Sequence, residues 1–151
     1  MRSEHQHSDS GTAAALVGRW RLVDFEVVFA DGARIAPFGD APQGWGIYTA
    51  DGWMSAQLMR SGRQAFGTER IADVPPAVLT AAAAGYIGYA GRYEVDTANA
   101  IISHHVDVAL LPDWVGTVHR RDYRFENGLL LLSPPERAGT RSTLRWQREA
   151  S

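Results

Sequence analysis

The 151-residue sequence contains no cysteine. That excludes disulfides, thiolate nucleophiles and cysteine metal sites, and it fits a reducing compartment. No apolar run is long enough to span a bilayer, and the opening stretch MRSEHQHSDSGT lacks the apolar segment of a secretory signal. Charge of neither sign is in excess: the formal net charge is -2, so nothing electrostatic points to nucleic acid or an anionic membrane as partner. There is no Gly-x-Ser-x-Gly elbow, no phosphate-binding glycine loop and no dinucleotide fingerprint. Hydrolase, phosphotransfer and redox chemistry therefore have no positive signal. The expectation is a cytoplasmic single domain over residues 13–151 behind a disordered arm, residues 1–12, with self-association left open.

What is present suits one core. Hydrophobic residues make up 45% of the chain and charged residues 21%, ordinary values for a globular domain too short to divide in two. Gly18 to Phe29 is rich in β-branched and aromatic residues and stops at Ala30-Asp31-Gly32, a turn signal. A short segment, Ala33 to Phe38, precedes a Gly/Pro loop and a hairpin around Asp51-Gly52. Arg60 to Val74 reads as a long loop, and Pro75-Pro76 opens AVLTAAAAGYIGYA, whose alanines predict the one helix. Strand pattern then resumes over Tyr89–Val95, Ile101–Leu110, Thr117–Glu126, Leu129–Ser133 and Arg141–Arg148. The reading is all-β: eight or nine antiparallel strands with one short inserted helix. A meander of this kind removes its edges by closing into a barrel, just wide enough for side chains or one small ligand.

Alternation assigns the inner face. A type I′ turn at Asp51-Gly52 opposes Thr49 to Met54, Ile47 to Ala56 and Trp45 to Leu58, which puts Trp45, Ile47, Met54 and Leu58 inside and Trp53 outside. In the later strands the inward sets are Tyr89, Gly91, Tyr93 and Val95, then Ile102, His104, Val106 and Val108, then His119, Arg121, Tyr123 and Phe125. His104 and His105 cannot share a face. The lumen is then apolar with a sparse polar set, which is how a small-molecule pocket is built. Each polar group also has a structural reading. His104 can be a hydrogen-bonded core residue, and Arg121 can close a barrel end or pair with Asp107 or Asp122. The histidines lack zinc spacing, and His5 and His7 lie in the arm, so no metal site is expected. One inward histidine in an apolar barrel is a candidate haem ligand, but the expectation is that no cofactor is bound.

Gly18-Arg19-Trp20 resembles the Gly-x-Trp opening of lipocalins and related calycin barrels, where the tryptophan plugs the closed end under a basic residue of the last strand. Arg145 or Arg148 is placed to supply that residue. From Leu16 to Trp146 the chain is similar to the small bacterial lipocalin-like domain proteins, through LVGRWRLVDFEV, the Pro-Phe-Gly of IAPFGD, IYTADGWMSAQL, GYIGYAGRYEVD, ISHHVDVALLPDWVGT and RFENGLLLLSPP. The resemblance implies an apolar barrel of ligand size, in a family that includes passive carriers and cofactor-free cyclases and isomerases of polyketide-type products.

Two functions follow from it. The first is a cofactor-independent cyclase that folds a linear, polyketide-like substrate, since positioning alone can supply up to about 7–11 kcal/mol in the best cases. His104, Tyr93 and Tyr123 would orient or polarise the substrate. Trp45, Ile47, Met54, Leu58, Tyr89, Val106, Trp114, His119 and Arg121 would bind it, under a lid formed by residues 60–74 and the helix. The second is a carrier or sequestering protein for an apolar small molecule, which uses the same walls.

Overall fold

The computed structural model describes residues 13–150; the expected arm, residues 1–12, lies outside the described residues. The strands are β1 (Gly18–Val28), β2 (Arg34–Ile35), β3 (Gln43–Tyr48), β4 (Trp53–Met59), β5 (Tyr86–Asp96), β6 (Ile101–Ala109), β7 (Val118–Glu126), β8 (Leu129–Ser133) and β9 (Arg141–Arg148). All neighbours pair antiparallel, and β1 also pairs with β9. Eight strands thus close a barrel, with the short β2 added against the end of β1. Helix α1 (Pro76–Ala84) begins with proline in its first turn and ends at Gly85, whose N–H caps the Ala81 carbonyl.

Turn chemistry sets the hairpin registers, and one turn differs from expectation. At Asn127-Gly128 both residues have positive φ, 52° and 77°, giving the two-residue hairpin that opposes Phe125 to Leu130 and Tyr123 to Leu132. Around Asp51 only Gly52 has positive φ, 95°. Its N–H bonds the Thr49 carbonyl, and the Thr49 N–H bonds the Trp53 carbonyl at 2.8 Å. This is a three-residue loop, a type I turn with glycine in the left-handed position after it. One extra loop residue slides β3 by one position, so Tyr48 opposes Met54 and Gly46 opposes Ala56. Every β3 side chain changes face. Tyr48 is inside at 4% exposure, whereas Trp45 and Ile47 lie on the outer wall at 42% and 41%. There the Arg19 guanidinium covers Trp45 at 5.1 Å, and Arg92 covers Trp53 at 4.3 Å.

Val108 is the second correction. A bulge leaves Asp107 unpaired between the Gly91–Val106 and Ala90–Val108 pairs, and the alternation reverses there. Val108 turns outward and Ala109 turns in. Glycine is required opposite the bulge, because a Cβ on Gly91 would collide with the His105 carbonyl oxygen.

The barrel has two unlike ends. At one, Trp20 is buried, donates its indole N–H to the Leu16 carbonyl at 2.9 Å and lies under the Arg148 guanidinium at 4.2 Å. Arg148 also holds the Ala15 and Val17 carbonyls, so it is the cross-packing base, while Arg145 pairs with Asp24 at 2.8 Å. The long connections 29–42, 60–85, 110–117 and 134–140 gather at the other end. Phe38 drops from the first of them into the core, edge-on to Phe25 at 5.4 Å, and Arg60 anchors that loop through the Pro37 carbonyl at 2.6 Å. Burial of one such ring contributes about 1.5–3 kcal/mol.

Candidate functional site

Inside the barrel is a cavity of about 140 Å³. Its walls are mainly aliphatic and aromatic, including Met54, Leu58, Leu130, Leu132 and Trp146, and Trp114 and Pro134 stand at the end where the long connections gather. A cavity of about 150 Å³ holds a single benzene ring, whereas drug-sized ligands occupy several hundred cubic ångströms. No residue of 60–85 forms part of this wall, although that loop and α1 lie at the same end.

The polar face of the cavity is built from three strands. His104 of β6 is 1% exposed and sits between two tyrosines. The Tyr48 hydroxyl of β3 lies 2.7 Å from its Nε2, and the Tyr89 hydroxyl of β5 lies 3.0 Å from its Nδ1. Burial, reinforced by the positive charge of Arg121 and by the neighbouring histidines, lowers the His104 pKa from 6.5 to about 3. The ring is therefore neutral at pH 7. Burial raises the Tyr48 and Tyr89 hydroxyls above the usual tyrosine range, and for both Arg121 pulls in the opposite direction.

Proton counting defines what this cluster can offer. A neutral imidazole has one N–H and one lone pair. Between two hydroxyls it accepts from one and donates to the other, so the three groups hold three donor protons and spend two on each other. The accepting tyrosine keeps its own O–H. One donor therefore remains for a group in the cavity. Both ring nitrogens are engaged, which leaves no lone pair to ligate haem iron, and among the described residues no three His, Cys, Asp or Glu side chains group to hold a metal ion.

Beyond the tyrosines, Trp114 and His119 pack edge-to-face at 4.6 Å, and both rings contact Tyr89. Burial and Arg121 also lower the His119 pKa. Arg121 reaches the cavity wall from β7, with Nη1 on the Arg120 carbonyl at 2.8 Å and Nη2 3.4 Å from His119 Nδ1. It forms no ion pair with Asp107 or Asp122, contrary to the structural reading of the sequence.

Of the residues expected to act on a ligand, the cavity brings together His104, Met54, Leu58, Tyr89, Trp114 and Arg121. Val106 is buried in the core and His119 lies behind Tyr89, both off the wall. Tyr93 donates to the Thr49 carbonyl at 2.6 Å and so fastens the β3–β4 hairpin. Tyr123 packs against Phe125 at 6.2 Å, also away from the wall. Trp45 and Ile47 are outside. The residue missed was Tyr48. The signal for it was Thr49, whose Oγ1 accepts the Trp53 N–H at 3.0 Å and steadies the longer loop.

The geometry defines a class: a closed antiparallel barrel that encloses a small apolar cavity with a few hydrogen-bonding groups. The chain belongs to the lipocalin-like domain family, whose model matches residues 17–149. It is 30% identical over 86 residues to the 4'-hydroxy-3'-methoxypropiophenone carrier protein ppsC of Aspergillus oryzae, covering 53% of this chain and 78% of that protein. Among solved structures it is similar to a lipocalin-like protein of Bacteroides uniformis, at a TM-score of 0.44 and 19% identity, covering 86% of this chain and 96% of the other. A redesigned β-barrel gives a TM-score of 0.43 at 13% identity, covering 91% of this chain and 95% of the other.

Proposed function

We propose that this protein is a binding protein for a single-ring aromatic or similarly sized apolar molecule bearing a hydrogen-bond-accepting oxygen, and that it carries or sequesters that molecule unchanged. The observation that carries this reading is the cavity itself: about 140 Å³, apolar on most of its wall, with Tyr48, His104, Tyr89 and Arg121 at one side. A ring fills the apolar part, and the donor left over from the tyrosine–histidine cluster meets its oxygen. The relative named as a carrier for a substituted propiophenone, itself a one-ring ketone, supports the same size and chemistry. Substituents longer than the ring would extend past Trp114 and Pro134 toward the loop-rich end. All 15 basic residues are arginine, so no lysine side chain can hold a ketone as an imine.

A second reading is the cofactor-free cyclase. It is favoured by the same cluster, since a hydroxyl donor beside a guanidinium can polarise a carbonyl as bond-making begins. The cavity volume favours the carrier, because a folded polyketide chain needs several times the space of one ring.

The test is titration of the purified protein with 4'-hydroxy-3'-methoxypropiophenone, followed by tryptophan fluorescence. Trp20, Trp114 and Trp146 all line the cavity and report on its filling. Saturable binding with the ligand recovered unaltered is expected. Absence of saturation with this and smaller one-ring ketones would overturn the binding reading, and recovery of a rearranged product from an unsaturated chain would favour the cyclase.

A further inference from the structure

Arg121 is an arginine without a countercharge at the cavity wall. Among the described residues none of the ion pairs includes it, although the chain carries 17 acidic residues. Its polar contacts are a neighbouring backbone carbonyl, one histidine nitrogen at 3.4 Å and the Tyr89 hydroxyl, none of them negatively charged. A guanidinium has five N–H donors, so these contacts do not exhaust them. The other packed arginines are used differently: Arg145 pairs with Asp24, and Arg148 spans two carbonyls over Trp20.

What surrounds Arg121 sharpens the point. The groups facing it are Tyr48 of β3, Tyr89 of β5, His104 of β6 and His119 of its own strand β7. None carries negative charge at pH 7. Asp122, next along β7, and Asp107, at the bulge, are both exposed on the solvent side. A half-buried cation with no compensating charge is costly to hold in a low-dielectric wall.

We infer that Arg121 is the anchor for an oxyanion on the ligand, so that the molecule bound is a one-ring acid, either a carboxylate or an ionised phenol, and not a neutral ketone alone. This rests on the reading of the barrel as a small-molecule binder and adds the charge of its ligand. The surplus tyrosine O–H would donate to the same oxygen that Arg121 holds. The field of Arg121 that lowers the pKa values of His104 and His119 is the field that would favour an anion in the cavity.

The experiment compares two probes of nearly equal shape, benzoate and acetophenone, by calorimetry at pH 7 on the full chain. Benzoate is expected to bind at least tenfold more tightly than acetophenone. Arg121→Gln is expected to reduce that ratio by a factor of ten or more, and Arg121→Lys to retain part of it. A third probe, 4-nitrophenol, reports its own ionisation by its visible band, and its pKa is expected to fall on binding to the unmodified protein. That readout needs no variant to fold. A lowered phenol pKa assigns a phenolate, benzoate preference without it assigns a carboxylate, and either supports the inference. Equal affinity for benzoate and acetophenone with nitrophenol bound neutral, or a ratio unchanged in Arg121→Gln, overturns it while leaving the binding reading intact. Failure of all three probes to bind overturns both.

Discussion

His104 is the residue on which polar order in the barrel depends. Its ring is neutral because charging it would require a buried cation beside Arg121, and its two nitrogens hold Tyr48 and Tyr89 in place. The consequence for stability has a definite sign. The folded-state pKa of about 3 lies below the ordinary 6.5, so between these values the unfolded chain binds the extra proton and the folded chain does not. Stability is therefore full above pH 6.5 and falls as the pH drops through 3, by about 5 kcal/mol in all for this one group. Urea unfolding of the natural chain and of His104→Gln from pH 7 to pH 4 checks this. The variant should lose less stability over that interval, and equal losses would sink the account. Tyr48→Phe leaves Nε2 without its hydroxyl and should cost about 1–3 kcal/mol with weakened ligand binding. Tyr93→Phe removes only the bond to Thr49, and should cost about 1 kcal/mol while binding is retained. Chemical denaturation paired with a ligand titration separates the two tyrosines.

At the level of strands and turns, a single loop residue decides which side chains meet a ligand. Both Asp-Gly and Asn-Gly signal a hairpin, and each of them does make one here, but with different loop lengths. Dipeptide identity could not choose between a two-residue turn and a type I turn followed by a left-handed glycine, because both use glycine at the positive-φ position. In GWGIY either alternate set is plausible as an inner face, so composition did not correct the register. In β4, by contrast, Met54, Ala56 and Leu58 face inward under either turn, and their burial was legible from alternation. Trp45→Ala should accordingly leave ligand affinity within twofold and cost no more than about 1 kcal/mol, mainly its contact with Arg19. A large loss of affinity in that variant would restore Trp45 to the lumen. Gly91→Ala is expected to be among the most damaging single substitutions, since its methyl meets backbone and not a movable side chain. Thermal unfolding should show it well below Gly62→Ala, where nothing lies within 4 Å of the added carbon and the cost is that of a left-handed backbone, φ 68°.

The whole molecule works as a container whose capacity is a property of packing. Filling that space should separate folding from function. Ala56, buried and on the cavity wall, can be enlarged to leucine without introducing a polar group. Ala56→Leu is expected to keep the barrel folded, within about 1–3 kcal/mol of the parent, and to abolish binding of one-ring ligands. In the natural chain, a ligand at 100 times its Kd should add about 2.7 kcal/mol of stability and raise Tm, a shift absent from Ala56→Leu. If the filled variant were stabilised by ligand as strongly as the parent, the cavity would not be the binding site.

Taken by itself, the sequence determined the architecture: period-two patterning and glycine turns specify an antiparallel barrel, because these signals are local and recur along the strands, whereas which end is closed was left open. It also determined that His104, Tyr89, Met54 and Leu58 point inward. Tertiary structure alone decided that Tyr48 replaces Trp45 on the wall, that the Asp107 bulge turns Val108 outward, and that Arg121 meets no carboxylate. Each of these depends on a one-residue slip or on the approach of strands far apart in the chain. A side chain's partner across a barrel is set by register, and register is the sum of every turn and bulge before it.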